Sequence, residues 1–360
     1  MKVGLCGLPQ SGKTTLFNAL TSSSYELHAY GGGAVRVNQE VTTVHDADLL
    51  WLHELTQSKK LTAAQIEYLD VSGLAKGDSG GTVAARFLAE LRRADALLIV
   101  LRAFEDNALP HPDGSVNPTR DLESFYLELG VADLSAVTTR LGSVGRGVNR
   151  ADKKAMAEVE LEQTALELVS AALEEGLPAS SVTLTDQQYE AVRGLGLFTH
   201  KPAVVVLNAD LDGRETAADI ASVNALGFKS IVVHGKLELE IAGFDEDEAA
   251  EYRQEFELPD GILDSLVALC YETLGLHSYY TTGPKETRAW TVRRNATAVE
   301  AAKVIHSDIA RGFIRAEVAG FADLQEHGSM SELKKRGLYR TEGKEYVVQS
   351  QDVILFRFQV

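Results

Sequence analysis

Residues 7–14 read Gly7-Leu8-Pro9-Gln10-Ser11-Gly12-Lys13-Thr14. This octet follows a short apolar run, Lys2 to Cys6, and opens a helical stretch from Lys13 to Leu20. Such spacing wraps successive backbone N–H groups round a phosphate at a helix N-terminus, where unpaired amides and the helix dipole favour negative charge. Gln10, Ser11, Gly12, Lys13, Thr14 and Thr15 then form the cradle, with Lys13 reaching the β and γ oxygens and Thr14 offering a hydroxyl to Mg²⁺. A side chain at the glycines would block the close approach of backbone to phosphate. Strand, loop and helix in this order predict an α/β nucleotide-binding domain.

Working outward, Asp70-Val71-Ser72-Gly73 ends the apolar run Ile66 to Leu69. That is the place for a carboxylate that holds Mg²⁺ through its water shell and for a glycine whose N–H senses the γ-phosphate. Lys13, Asp70 and Gly73 are therefore the candidate catalytic residues, and Thr14 and Asp70 the candidate metal residues. Leu74 follows the glycine where Ras-like enzymes place a water-orienting glutamine, so slow intrinsic hydrolysis is expected. Apolar runs and helical stretches alternate through Val83 to Arg93 and Ala96 to Arg102, and resume at Ala203 to Asn208, Ala217 to Leu226, Ser230 to Val233 and Asp260 to Gly275. Strands in such alternation imply a mainly parallel sheet with helices on both faces.

Base recognition departs from the common guanine-reading signature, Asn-Lys-x-Asp. The strand end here is Asn208-Ala209-Asp210-Leu211, with leucine where the guanine-reading carboxylate belongs. Without that acceptor, discrimination for guanine weakens. Asp210 and Asp212 read as turn residues. In His234-Gly235-Lys236 a backbone amide at Gly235 is positioned for the base. Asn208, Ala209 and Gly235 complete the candidate nucleotide contacts.

The sheet is interrupted by helices. Leu127, Leu134 and Leu141 recur at heptad spacing with Val131 between them, and a second stripe runs Met156, Val159, Leu166, Val169, Leu173. Together they predict an antiparallel coiled-coil hairpin. Its acids, among them Glu158, Glu160, Glu162, Glu167, Glu174 and Glu175, read as a solvated face. From Tyr279 the pattern becomes a small α+β module with a helix Val299 to Ala310, a strand Ile314 to Val318, a helix Phe321 to Lys335 and paired strands Glu345 to Gln349 and Val353 to Phe358. Three domains follow: a P-loop domain over 1–120 and 196–276, a helical insert over 121–195, and a C-terminal domain over 277–360.

The chain of 360 residues carries 35 Lys and Arg against 52 Asp and Glu, a formal charge of −17. Its surface as a whole therefore repels nucleic acid and anionic membrane. Residues 277–360 reverse the balance, with 13 basic against 10 acidic side chains. Arg288, Arg293, Arg294, Arg311, Arg315, Lys334, Lys335 and Arg336 are candidates for a local basic face, with Trp290 or Tyr339 for stacking. Cys6 and Cys270 are too few for a disulfide framework or a thiolate metal site and read as core thiols. No His/Cys/Asp/Glu spacing suggests a protein-held metal cluster. Arg102, Phe104, Glu105, Asp106 and His111 read as a structural loop, and His306 as a packing residue within a helix. The apolar run before Gly7 is too short for a signal peptide and the run Ala94 to Leu101 too short to span a bilayer, so a cytoplasmic protein without membrane contact is expected.

The chain resembles the YchF/Obg-like ATPase family. The resemblance rests on Gly7-Leu8-Pro9 with Gly12-Lys13-Thr14, Leu16-Phe17-Asn18-Ala19-Leu20-Thr21, Asp70 to Gly77, Arg102 to Asp106, Gly114 to Asp121, Arg288-Ala289-Trp290-Thr291, Ile305-His306, Arg311 to Glu317 and Gly343-Lys344 onward. It implies a GTPase-type P-loop domain, an inserted coiled coil and a C-terminal TGS (β-grasp) domain. It further implies ATP·Mg²⁺ as the substrate, with GTP as a second ligand, and ribosome or ribosomal RNA contact through the C-terminal domain of a monomer. Two features depart from the family. Ala34, in Gly31-Gly32-Gly33-Ala34, occupies the place of the switch threonine unless Thr42 or Thr43 substitutes for it, and Asp78-Ser79-Gly80-Gly81-Thr82 lacks a lysine-glycine-glutamate run. The expected function is slow ATP hydrolysis in a translation or stress regulator. The alternative is a nucleotide-sensing module that binds without turnover.

Overall fold

The computed structural model describes residues 1–23, 36–72, 82–149, 151–211 and 215–359. The expectations placed on Gly31 to Ala34, Gly73, Leu74, residues 78–81 and Asp212 lie outside them.

The first part of the chain runs β1 (Lys2–Cys6), α1 (Lys13–Thr21), β2 (Arg36–Thr43), α2 (Ala47–Thr56), β3 (Leu61–Thr62), β4 (Gln65–Ser72), α3 (Thr82–Leu91) and β5 (Ala96–Arg102). Then come α4 (Pro118–Leu141), α5 (Lys153–Glu174), α6 (Asp186–Val192), β6 (Ala203–Asn208), α7 (Ala217–Ala225), β7 (Lys229–Val233), α8 (Gly235–Ile241), α9 (Glu246–Glu255) and α10 (Ile262–Thr273). The last part holds β8 (Leu276–Thr282), β9 (Thr287–Arg293), α11 (Ala298–Ile305), α12 (Ser307–Arg311), β10 (Phe313–Gly320), α13 (Phe321–His327), α14 (Met330–Arg336), β11 (Arg340–Glu342) and β12 (Asp352–Phe358).

Contacts divide the chain into two units, residues 1–41 with 67–262 and residues 42–66 with 263–360. In the first, the sheet order is β2-β4-β1-β5-β6-β7. The pairs β1–β4, β1–β5, β5–β6 and β6–β7 are parallel. β5 is buried at every position and β6 at all but its first. Central parallel strands are covered on both faces, which is why both sequences are continuous aliphatic runs. In register, Leu5 faces Asp70, and Arg102 faces Asn208, which in turn faces Val233. The carboxyl ends of these strands thus bring the octet, Asp70 and Asn208 to one end of the sheet, where open α/β folds bind ligands.

The helical insert forms, but not on the expected stripe. Asn117 caps α4, its side chain accepting from the Arg120 amide, with Pro118 at the first turn. The helix buries Leu122, Phe125, Leu129, Asp133 and Val137, at spacings of three and four. Leu127 and Val131 are 59% and 53% exposed. The heptad reading therefore fails at its N-terminal half, because a buried aspartate interrupts the apolar pattern that does face the core. On α5, Leu166, Val169 and Leu173 are buried and share a cluster with Leu134, Val137 and Leu141, whereas Met156 is exposed. Arg140 makes a two-bond pair with Glu162, so one of the acids serves the contact between the helices.

The second unit has the sheet order β11-β10-β12-β8-β9-β3. One face packs under α11, with Tyr279, Val292, Ala301, Ala302, Val318 and Phe356 in one cluster. The other packs under α2, with Leu49 and Leu52 against Tyr280, Ala289, Ala319 and Val353. Residues 42–66 thus supply a helix and an edge strand that sequence pattern alone had left with the nucleotide domain. Three local readings also change. His306 is not within a helix: its extended backbone (φ −166°) separates α11 from α12, and its Nδ1 accepts from the Asp308 amide. Gly328, at φ 73°, ends α13, so Phe321 to Lys335 is two helices rather than one. Residues 345–349 form only a bridge, Thr297 with Val347, and the strand Val353 to Phe358 pairs instead with β10 and β8.

Candidate nucleotide site

The octet is a tightly folded loop between β1 and α1. Gly7 has φ 138°, and a Cβ there would lie 2.3 Å from the Val100 carbonyl oxygen. Gly12, at φ 88°, caps α1, and a Cβ there would lie 2.1 Å from Nδ2 of Asn208. No side chain fits either position, so the loop backbone lies directly against the sheet end. Ser11 is 1% exposed, and its Oγ, like Oε1 of Gln10, is buried with no hydrogen-bond partner among the described residues. Buried polar atoms without partners are rare, and a bound ligand or an ordered water is one way in which they are satisfied.

Lys13 is 9% exposed, and its Nζ donates to the carbonyls of Leu8 at 2.8 Å and Gly7 at 3.2 Å. Burial lowers its pKa, and the nearby Asp70 opposes that shift. The ammonium is thus held inside the loop by carbonyl oxygens, within electrostatic reach of Asp70. Cys6, the last residue of β1, is pushed up to about 12 by burial and stays a thiol.

Thr14 Oγ1 donates to Asp70 Oδ2 at 2.9 Å, bringing the two expected metal residues together. Asp70 is fully buried near the end of β4, two residues before its last. Asn38, on β2, donates through Nδ2 to the same carboxylate oxygen at 3.3 Å. A hydroxyl and a carboxylate in contact beside an ammonium fit Mg²⁺, which takes oxygen ligands and keeps several waters. Sequence reasoning missed Asn38 because it stands in a polar run, Asn38-Gln39-Glu40, that carries no motif.

The base-side residues also converge. Asn208 donates through Nδ2 to the Ser11 carbonyl at 3.0 Å and accepts at Oδ1 from the Gly235 amide at 3.0 Å. The Gly235 amide, expected to face the base, is thus engaged by Asn208. The Ala209 amide bonds the Val233 carbonyl, and its own carbonyl lies 3.1 Å from His234 Nδ1. Asp210 is exposed, and Leu211 is 38% exposed where a guanine-reading carboxylate would stand. Thr15 lies in the first turn of α1. Arg102 is buried and sits 4.7 Å over the Phe104 ring.

One cluster appears that no sequence spacing announced. Donor atoms of His111, Asp113 and Asp121 lie within 4.8 Å of one another. His111 Nε2 is 2.9 Å from Asp121, and its Nδ1 accepts from the Asp113 amide. With both ring nitrogens committed, the group locks the loop after β5 onto α4 and is not arranged to ligate a metal.

In the second unit several of the expected basic residues are already paired within the unit. Arg315 and Arg357 share Glu317, which also accepts from Tyr339. Lys334 lies over Tyr339 and Arg288 over Trp290, so both aromatics already carry a cation. Arg311 pairs with Asp308 and Lys335 with Glu332.

Residues 2–131 match a family described as 50S ribosome-binding GTPase, and residues 276–359 match YchF-GTPase_C, described as a protein of unknown function (DUF933). The chain is 39% identical to the ribosome-binding ATPase YchF of Bacillus subtilis (strain 168), over all of both chains. It is 34% identical to the ribosome-binding ATPase YchF of Pasteurella multocida (strain Pm70), over all of this chain and 99% of that one. The chain belongs to the YchF family of P-loop NTPases. The Schizosaccharomyces pombe YchF GTPase superposes with a TM-score of 0.82 at 29% identity, covering 99% of this chain and 97% of that one. The α/β P-loop architecture with a further C-terminal domain is thus the YchF architecture. Among the described residues no helix is long and apolar enough to cross a membrane.

Proposed function

We propose that the chain binds ATP with Mg²⁺, hydrolyses its β–γ phosphoanhydride slowly, and engages the ribosome through residues 277–360 as a cytoplasmic monomer. The observation that carries this reading is the triad of Lys13, Thr14 and Asp70, with Lys13 and Asp70 buried and Thr14 half-buried, beside a glycine loop that Asn208 ties to the sheet. The amides of Gln10 to Thr15 would cradle the phosphates, Lys13 would neutralise β and γ charge, and Thr14 and Asp70 would hold the metal. Held by Thr14 and Asp70, Mg²⁺ would supply positive charge to offset that developing on the phosphates. Water attacks in line, and Gly73 is proposed to sense the γ-phosphate.

ATP is favoured over GTP because Leu211 offers guanine no acceptor for its two N–H groups. Ribosome engagement is supported by the names of the two bacterial relatives and by the basic balance of the C-terminal residues. Arg315 and Arg357 keep about half their side chains exposed, at 51% and 49%, while Glu317 fixes their direction. Such pre-oriented guanidinium groups suit phosphate contacts.

Single-turnover phosphate release with Mg-ATP, compared with a Lys13→Ala variant, tests the hydrolysis. Release by the native chain and none by the variant is expected. Equal background in both would leave a nucleotide-sensing module without turnover. Competition between ATP and GTP tests the base reading, which a strong guanine preference would refute. Co-sedimentation with ribosomes, weakened by salt and by Arg315→Ala with Arg357→Ala, tests the partner.

A further inference from the structure

The Asp70 carboxylate is gripped from two directions. From α1 comes the Thr14 hydroxyl at 2.9 Å, and from β2 comes the Asn38 amide at 3.3 Å, both on Oδ2. The first contact joins two residues expected to hold the metal. The second comes from a residue that no motif contains, on a strand that begins just after the segment holding Ala34. We propose that Asn38 is a positioning residue for the metal centre: its amide sets the orientation of Asp70 and thereby the strength with which Mg²⁺ joins the bound nucleotide. The proposal rests on the reading of Thr14 and Asp70 as the Mg²⁺ residues.

The physical argument is one of freedom. A carboxylate at a strand end rotates about its terminal bond unless donors hold it, and a charged acceptor gains more from each donor than a neutral one. The Thr14 hydroxyl must turn its lone pair to the metal and its proton to Asp70 at once. A second donor on the same oxygen keeps that oxygen directed at Thr14. Asn38 is half-buried, so its amide competes with little water. It is neutral and therefore orients the carboxylate without repelling the cation, as a lysine in its place would.

The test compares the affinity of a fluorescent ATP analogue in Mg²⁺ and in EDTA for the native chain, Asn38→Ala and Asn38→Thr. The native chain is expected to bind tighter in Mg²⁺. Both variants should bind as the native chain does in EDTA yet lose about five- to tenfold of the Mg²⁺ gain, the net size of one hydrogen bond. Asn38→Thr suits a strand, so it folds even if the alanine variant is impaired. Midpoints of thermal unfolding in EDTA check that both are intact. An unchanged Mg²⁺ gain, or equal weakening with and without metal, overturns the proposal, the latter by showing that Asn38 merely supports the strand. A native chain that ignores Mg²⁺ altogether refutes instead the site reading beneath it.

Discussion

Gly12 and Asn208 occupy nearly the same space: a Cβ on the glycine would lie 2.1 Å from the amide nitrogen of the asparagine, which at 3.0 Å bonds the carbonyl of the preceding residue, Ser11. The phosphate loop is therefore set by a residue almost two hundred positions later in the chain. Gly12→Ala must push the loop off Asn208 while forcing an L-residue to φ 88°. Loss of measurable nucleotide binding is expected, with the chain still folded. Asn208→Ala should weaken binding by about tenfold, since it releases both the Ser11 carbonyl and the Gly235 amide. Titration calorimetry with ATP and Mg²⁺ reads both effects. Native-like affinity in Gly12→Ala would show that the loop does not bind phosphate in this form.

Thiol chemistry offers an independent view of the same loop. Cys6 and Cys270 are buried, and burial pushes each up to about 12. Only the thiolate reacts, so neither should alkylate in the native state at pH 8. Intact mass after iodoacetamide should show no added label until denaturant is present. Rapid labelling of Cys6 in the folded chain would mean that β1 opens to solvent more readily than its packing allows.

The phosphate loop, Asp70 and Asn208 were legible in the sequence because each belongs to a short-range pattern. Glycine spacing, strand-end aspartate and strand-end asparagine are local signals whose chemistry depends on few neighbours. The central strands β5 and β6 were equally plain, since strands buried on both faces are written as unbroken aliphatic runs. What escaped depends on contacts distant in sequence. Asn38 looks like any polar strand residue until β4 brings Asp70 beside it. Residues 42–66 look like part of the nucleotide domain, but Asp46 caps α2 while accepting from the Tyr280 hydroxyl, 234 positions away. The stripe on α4 was misread because Asp133 sits at a core position, and a period count treats an aspartate as solvent-facing.

Glu317 should make the second unit acid-sensitive. Arg357, with help from Arg315 and Tyr339, holds its carboxyl down at about 2. A carboxyl whose pKa is depressed on folding adds stability above its ordinary value near 4.5, and that stability is lost as the pH falls towards 2. Trp51 and Trp290 both lie in this unit, so tryptophan fluorescence reports it directly. Native chain and Glu317→Gln should differ in urea midpoint at pH 6 and converge as the pH is lowered through this window. A constant difference at all pH values would assign the effect to packing instead of charge.

Asp133 gives the strongest stability prediction. It is fully buried on α4 and accepts from the Phe198 amide at 2.9 Å, the Thr199 amide at 2.8 Å and the Thr199 hydroxyl at 2.8 Å. Arg92 stands 4.0 Å away, stacked on Phe198 and bonded to the Leu195 carbonyl. Removing the carboxylate strands three donors in a site that water does not reach. Asp133→Ala should cost about 3 to 5 kcal/mol, and Asp133→Asn less, because the amide keeps one acceptor oxygen. Urea unfolding followed by far-ultraviolet circular dichroism measures both. The anchored residues lie just ahead of β6, the strand that ends in Asn208, so a loosened Asp133 should also weaken nucleotide binding. A cost below about 1 kcal/mol would mean that water or a shifted α4 satisfies the donors, and that the insert is far less firmly attached than its hydrogen bonds indicate.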